Sequence, residues 1–315
     1  MVPDGLLFRA SGIMIFGGGV FHRCLSGLRN RFEYNILPKF VDGLVNLSIF
    51  FPARNIKSKN AHKILIDNSV LGYAITHETG WINTGKVKWG GEIEIDTGYA
   101  ARIPVYDDND LSPTYQSVQY IPAIAGLARK KIIQLFDSSE LADERLTQPG
   151  GRFSGYETFD YSLLSGIQIQ TIIDYNYSLY LGPRNLNLPS PIEQRRSRYK
   201  LRNDTLYKSI LSALGEKNDQ DAWHIATAEE NGCYCFLTMD FKLIRNVRAR
   251  KNHEGISKLK TKVMSPEEFG IEFGLMPIPP RFFSYHNASF PVEAGRNWPN
   301  SSRKKRNRRK REKSG

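Results

Sequence analysis

The sequence predicts an α/β protein in which a parallel sheet is flanked by helices. Apolar runs at 64–66, 132–136 and 234–238 have the length of buried strands, and helical patterns separate them. Such alternation is typical of parallel sheets, because consecutive parallel strands need a crossover connection. A chain of 315 residues that is 40% hydrophobic can bury a large core of this kind.

The first strand ends on an acidic residue. In "KILIDNSVLG" (63–72), Ile64–Ile66 is apolar throughout, as expected of a central strand covered on both faces, and Asp67 follows at its carboxyl end. Ligands of open α/β sheets bind at that edge. Asp67 is therefore a candidate functional residue, unless it only caps the helix predicted from about Val70 to Glu78.

A β-hairpin insertion is predicted near 80–120. In "WINTGKVKWGGEIEIDTGYAARIPVYDD" (81–108), apolar and polar residues alternate on both sides of a Gly-Gly pair, which is a hairpin signal. The period becomes helical from Tyr120, with Ile121, Ile124, Leu127 and Ala128 on one face.

The second apolar run, "IIQLF" (132–136), leads into a helix that begins in "DSSELADERL", with Asp137 or Ser139 as its cap. The Gly- and aromatic-rich passage from 150 to 190 supports only one further strand, around Ile167–Ile173.

A basic helix is predicted next, from Pro191 to Leu214. Its positive charge is a candidate nucleic-acid-binding surface, because Lys and Arg contact backbone phosphates, although a solvated helix face has the same composition. The residues concerned are Arg195, Arg196, Arg198, Lys200 and Arg202.

The stretch "NDQDAWHIATAEENGCYCFLTMDFKLI" (218–244) combines a compact helix, a stop at Gly232 and the strand "YCFLT". That strand runs into Asp240, which repeats the position of Asp67 at a strand tip. Asp221 lies in the first turn of the helix. A last strand and a Ser-Pro-Glu-Glu helix start follow in "TKVMSPEEFG" (261–270).

Composition divides the chain into an N-terminal extension of unknown role (1–60), a domain at 61–275 and a C-terminal segment at 276–315. The net charge of +12 points to a polyanionic partner, and the tail "RKKRNRRKREK" (303–313) carries +8 of it. We expect this tail to be disordered, and it could equally be a nuclear-type address. Three cysteines without metal spacing favour a reduced, cytoplasmic chain, and no membrane association is expected.

The predicted fold brings several carboxylates to one end of the sheet. These are Asp67, Asp221, Asp240 and one of two glutamates in the helix after the second strand, Glu144 or its rival Glu140. Neighbouring carboxylates repel one another unless a cation lies between them. Oxygen ligands suit Mg²⁺ or Mn²⁺, and these ions support phosphoryl chemistry. An acidic pocket in a basic protein thus predicts a metal-dependent nuclease.

The motifs "ILIDNSVL", "DAWHIATAEENGCYCFLTMD" and "VMSPEEF" resemble the PIN domain, a family of metal-dependent ribonucleases that includes the VapC-type toxins. The resemblance covers roughly residues 61–270. It implies a PIN-like fold, an Mg²⁺- or Mn²⁺-dependent endoribonuclease activity, and catalytic and metal-ligating roles for Asp67, Glu144, Asp221 and Asp240. The middle acid, Glu144 or Glu140, is the weakest part of the match, because some 65 residues separate Asp67 from Ile132.

Other interpretations of the sequence stay open. A nucleic-acid-binding protein that keeps the fold without turnover would carry the same charges. A phosphatase of the haloacid dehalogenase type would need a second Asp where Ser69 stands. RNA is the expected partner, although DNA is also open. A toxin role would add a small antitoxin protein, and a homo-oligomer is compatible with the sequence. We expect His224 to be packed or exposed, and Asn68 and Ser69 to start their helix.

Overall fold

The computed structural model describes residues 32–107, 110–147, 161–175, 189–283 and 289–291. Residues 1–31 of the predicted N-terminal extension and the basic tail at 303–313 lie outside these ranges.

The described residues form helices and strands that we label in chain order. The first half contains α1 (Leu37–Phe50), α2 (Pro52–Ser58), β1 (Lys63–Ile66), α3 (Asn68–Tyr73), β2 (Ile75–Trp89), β3 (Ile93–Pro104), α4 (Pro113–Val118), α5 (Ile121–Arg129), β4 (Gln134–Ser138), α6 (Ser139–Thr147), β5 (Tyr161–Ser162) and β6 (Ile169–Ile172). The second half contains α7 (Pro191–Leu201), α8 (Thr205–Leu214), α9 (Asp219–Glu230), β7 (Cys235–Leu237), α10 (Phe241–Ala249), α11 (Glu254–Ser257), β8 (Lys262–Met264), α12 (Pro266–Phe273) and β9 (Ser289–Pro291).

A parallel five-stranded sheet is the centre of the fold. Its order is β6-β4-β1-β7-β8, and β1 pairs with β4 on one side and with β7 on the other. This central position explains why Ile64, Leu65 and Ile66 are all apolar, since each is fully buried or nearly so. The prediction of an α/β fold with a parallel sheet flanked by helices is therefore confirmed.

The two faces of the sheet pack against different sets of helices. In β1, Ile64 and Ile66 belong to one core cluster, whereas Leu65 belongs to the other. Successive side chains of a strand point to opposite faces, so each strand contributes to both layers. The Ile64 layer includes residues of α1, α2, α5 and α12, and the Leu65 layer includes residues of α7, α8, α9 and α10.

The N-terminal helices α1 and α2 belong to the folded unit, although the sequence predicted an extension through residue 60. Val41, Val45 and Ile49 of α1 are in the same core cluster as Ile64. Helix α5 approaches α1 closely at Gly126, where a Cβ atom would collide with the side chain of Val45. A residue without a side chain is needed at this crossing.

The predicted hairpin insertion is present as β2 and β3, which pair in antiparallel fashion along their length. It begins earlier than expected: α3 ends at Tyr73 and β2 begins at Ile75, so the prediction of a helix up to Glu78 is wrong. Strands β5 and β9 pair with the base of the hairpin, so β2 and β3 are part of a four-stranded second sheet. This pairing outweighs the local helical preference of the segment.

Among the helices of the described residues, none is long and apolar enough to cross a membrane.

Candidate functional site

Asp67 lies at the carboxyl end of the central strand, at the predicted edge of the sheet. Its backbone N–H donates to the carbonyl of Leu237 (2.9 Å), which continues the pairing of β1 with β7. Its carboxylate accepts hydrogen bonds from the hydroxyl groups of Ser69 and Thr238, the latter at 2.6 Å. Two hydroxyl groups from neighbouring strand ends thus fix the carboxylate of Asp67.

The same hydroxyl groups connect Asp67 to the next strand tip. The Thr238 oxygen accepts from the N–H of Asp240 (3.0 Å), and the Ser69 oxygen accepts from the N–H of Met239 (2.9 Å). Asp240 in turn caps α10, because its Oδ1 accepts from the N–H groups of Lys242 and Leu243 at 2.8 and 3.0 Å. Asp240 is exposed at the surface, whereas Thr238 is completely buried.

Glu144 is the middle acid that lies with Asp67. The negative charge of Asp67 acts directly on the Glu144 carboxyl, and Asn68, the residue after Asp67, donates its Nδ2 to Glu144 Oε2 at 2.9 Å. The same Nδ2 donates to the carbonyl of Leu141 at 2.8 Å, so Asn68 attaches α6 to the tip of β1.

Glu140, the rival candidate, faces another part of the structure. Its side chain is fully buried, and its oxygens accept hydrogen bonds from Tyr199 (2.8 Å) and Arg198 (2.9 Å) and form an ion pair with Arg195 (2.8 Å). Asp143, also fully buried, pairs with the same two arginines. Glu140 is thus neutralised inside the protein, and Glu144 is the better candidate for the middle acid.

Helix α9 brings the fourth acid, Asp221, to this group. Its pKa is raised from 3.8 to about 7, chiefly by burial and then by the negative charges of Asp240, Asp67 and Glu144, in that order of size, with a smaller contribution from Asp219. The predicted acids Asp67, Glu144, Asp221 and Asp240 are therefore neighbours, although they come from four separate parts of the chain. We call these four residues the acidic group.

The electrostatics of the acidic group show a shortage of positive charge. Burial raises the pKa of Asp67, against the lowering effect of the Ser69 and Thr238 hydrogen bonds. Burial and the charge of Asp67 raise the pKa of Glu144, while Asn68 and Arg195 lower it. Arg195 is already bound by Glu140 and Asp143, so its charge is shared with the neighbouring buried network.

His224 lies beside Glu144, with 4.0 Å between its Nε2 and Glu144 Oε2. Burial and the charges of Arg195 and Arg202 lower its pKa to about 3, so the ring is neutral at ordinary pH. It is packed against Phe236 with 5.8 Å between ring centroids, in line with the expectation of a packed residue. Asn68 is the residue whose role the sequence missed: it was expected only to start a helix, but it is buried and orients Glu144.

The basic residues of α7 and its C-terminal end are divided between the interior and the surface. Arg195 and Arg198 point inward to Glu140 and Asp143. Arg202 pairs with Asp204 and Glu230 and stacks 4.3 Å from the Trp223 ring centroid. Of the five residues predicted to bind nucleic acid, Arg195, Arg198 and Arg202 thus form internal ion pairs, while Arg196 and Lys200 are exposed.

The residue types of the acidic group fit a hard divalent cation, since all four offer carboxylate oxygens and the charges of neighbouring acids raise the pKa of Glu144 and Asp221. Even so, no three His, Cys, Asp or Glu side chains of the described residues stand close enough together to hold a metal ion as they are placed. The two observations differ because charge acts over longer distances than coordination bonds. Ligation would require the carboxylates to rotate toward one another.

Comparisons with protein-family models, with curated protein sequences and with solved structures found no match for this chain.

Proposed function

We propose that the protein is a metal-dependent endoribonuclease with a PIN-like fold, which hydrolyses phosphodiester bonds at the acidic group. The observation that carries this proposal is the convergence of Asp67, Glu144, Asp221 and Asp240 at the carboxyl edge of a parallel sheet, where Asp67 raises the pKa of Glu144 and the other three acids raise that of Asp221. Neighbouring carboxylates raise the pKa of Glu144 and of Asp221, which costs stability, and such perturbed groups cluster at functional sites.

Mg²⁺ or Mn²⁺, when bound by these carboxylates, would activate a water molecule and neutralise charge on the phosphorus. The residues of the chain have separate tasks around it. Ser69 and Thr238 hold the carboxylate of Asp67 in one orientation, and Asn68 holds that of Glu144. Asp221, with a pKa near 7 in the metal-free protein, can give up its proton at neutral pH when a cation approaches.

The charge of the whole chain supports nucleic acid as the substrate. The net charge is +12, and nine basic residues between Arg303 and Lys313 would attract a polyanion to the protein. An acidic pocket alone would repel phosphate, so basic surfaces elsewhere are needed to hold the strand.

A second candidate is a PIN-like protein that binds nucleic acid without cleaving it. The spacing of the acidic side chains favours this alternative, because no three of them in the described residues form a ready ligand set. Both functions predict that the protein binds nucleic acid, and only the nuclease predicts that it cleaves it.

Cleavage of labelled RNA and DNA in the presence of Mn²⁺, Mg²⁺ or chelator tests the proposal. We expect metal-dependent cleavage of RNA that falls by at least about 100-fold in Asp67→Asn and in Asp240→Asn, because a lost carboxylate weakens metal binding and activation of water. RNA binding in chelator should persist in both variants.

Asp42→Asn, on the exposed side of α1, is the matched control and should cleave as the wild type does. Binding without cleavage in every metal tested would support the non-catalytic alternative. Cleavage that survives both Asn substitutions would place the chemistry elsewhere in the protein.

A further inference from the structure

We propose that the exposed face of α10 is the surface that binds the phosphate backbone of the substrate strand next to the acidic group. This inference rests on the proposed function, since it concerns how RNA reaches that site. It also replaces α7 as the main phosphate-binding surface, because the inward arginines of α7 are engaged in ion pairs.

Helix α10 begins directly at the acidic group. Asp240, one of the four acids, is the N-cap of the helix, and its side chain accepts hydrogen bonds from the first turn. A strand whose scissile phosphate lies at the acidic group would therefore pass close to the first turn of α10. The helix N-terminus adds a partial positive charge at that point.

The composition of α10 is one-sided. Leu243 and Ile244 are buried against the core, while Lys242, Arg245 and Arg248 lie on the exposed side. Between Phe241 and His253 the sequence contains five basic residues and no acidic residue. Apart from Asp240 at its start, the helix thus presents only positive charge to an approaching polyanion.

The three exposed cations wind around the exposed side of the helix, because a step of three residues turns about 300° and leaves successive side chains about 60° apart around the axis. Lys242, Arg245 and Arg248 are spaced by three residues, which corresponds to a rise of about 4.5 Å per step and about 9 Å in all. Neither Lys242 nor Arg245 has an ion pair in the part of the chain that the structure describes, whereas Arg248 pairs with Glu268. We call these three residues the α10 track.

The α10 track leads away from the acidic group toward an open groove. Arg248 lines this groove, of about 400 Å³, together with Lys262, Val263, Met264, Glu268, Ile271 and Glu272. The two glutamates pair with the two cations, Glu268 with Arg248 and Glu272 with Lys262. The order along the surface is thus acidic group, Lys242, Arg245, Arg248 and groove. Such an order suits a single nucleic-acid strand, whose flexible backbone can follow one row of cations.

Binding of a fluorescein-labelled oligouridine to the full-length chain, measured by anisotropy in chelator, tests this surface. The test variant is Lys242→Glu combined with Arg245→Glu. The matched control is Arg196→Glu combined with Lys200→Glu, which makes the same charge change at the exposed positions of α7. A glutamate in the first turn of α10 also suits the helix dipole, so the test variant should fold.

At about 150 mM salt, we expect the test variant to weaken binding at least tenfold and the control to change it by less than twofold. The slope of log K against log salt should fall by about 1.4 in magnitude in the test variant, from two lost phosphate contacts on a single strand. Lys242→Gln with Arg245→Gln should show a smaller loss in the same direction.

Equal losses in the test and control variants would overturn the α10 track, because binding would then follow total charge alone. So would unchanged binding in the test variant with its helical content intact. Cross-linking of 4-thiouridine RNA should label the peptide that contains α10, and labelling confined to 303–313 would contradict the proposal.

The nuclease proposal is tested by cleavage, whereas the α10 track is tested by RNA binding. Absence of cleavage with binding that still depends on Lys242 and Arg245 would overturn the nuclease and keep the track. Metal-dependent cleavage with an unchanged KM in the test variant would keep the nuclease and overturn the track.

Discussion

Helix α6 carries acidic residues into two neighbourhoods that differ in their charge balance. Glu140 and Asp143 meet Arg195 and Arg198 and are fully buried. Glu144, one turn beyond Glu140, meets Asp67 and keeps 24% of its side chain exposed. Glu140 and Asp143 form ion pairs inside the protein. Glu144 lies near another carboxylate, Asp67, and is partly accessible to solvent. Burial of a carboxylate is therefore a poor sign of function here, and closeness to other carboxylates at the sheet edge is a better one.

Removal of Glu140 should have the largest effect, because it opens the buried ion-pair network of α6 and α7. We expect Glu140→Ala to lower the free energy of unfolding by about 3–5 kcal/mol, because Arg195 and Arg198 would lose a fully buried counter-charge. Denaturant unfolding measures this change. Glu216→Ala, at an exposed position, is the control and should have little effect. A decrease in the free energy of unfolding below about 1 kcal/mol would mean that this network contributes little to stability.

Addition of Mn²⁺ tests the acidic group in the same way that Glu140→Ala tests the buried ion pairs. A cation that binds the acidic group should stabilise the wild type by about 2.7 kcal/mol at a concentration 100 times its Kd. Thermal unfolding with Mn²⁺ and with chelator gives the difference, which Asp67→Asn should largely remove. Asp42→Asn should keep it. A rise in melting temperature of equal size in Asp67→Asn would show that the ion binds outside the acidic group.

The pH dependence of the metal-free protein gives a smaller effect. The pKa of Asp221 is raised from 3.8 to about 7, so between these values the unfolded chain has lost a proton that the folded chain keeps. Stability in chelator should therefore fall as pH rises from 4 to 7. We expect a contribution on the order of 2 kcal/mol, which is less than the full shift implies because part of the shift comes from neighbouring carboxylates. In Asp221→Asn the slope should flatten, and an unchanged slope would contradict this origin.

The sequence predicts the sheet and its acidic edge well, because both follow from local patterns. Apolar runs that end in Asp67 and Asp240 indicate buried strands with carboxylates at their tips, and the structure has both. The C-terminal end of α9 was also predictable from Gly232, because this residue has a φ of 63°, which glycine adopts without strain.

Other features depend on contacts between distant segments and could not be predicted from the sequence. The inward turn of Arg195 and Arg198 requires α6 to lie beside α7, and nothing in the local pattern of α7 indicates it. The choice between Glu144 and Glu140 has the same origin, since both are acids of one helix and only the neighbours differ. Helix α3 ends early because β2 finds partners in β3 and β5, which no short segment reveals.

The hydrogen bond from Thr238 to Asp67 joins residues that are 171 positions apart in the chain. Such a contact can form only after β1 and β7 have met, and the loop between them must first lose the entropy of closure. The acidic edge therefore cannot be completed before β1 and β7 have paired. A nascent or truncated chain that lacks β7 would be without this contact, so the site would come into being only when nearly the whole domain has been made.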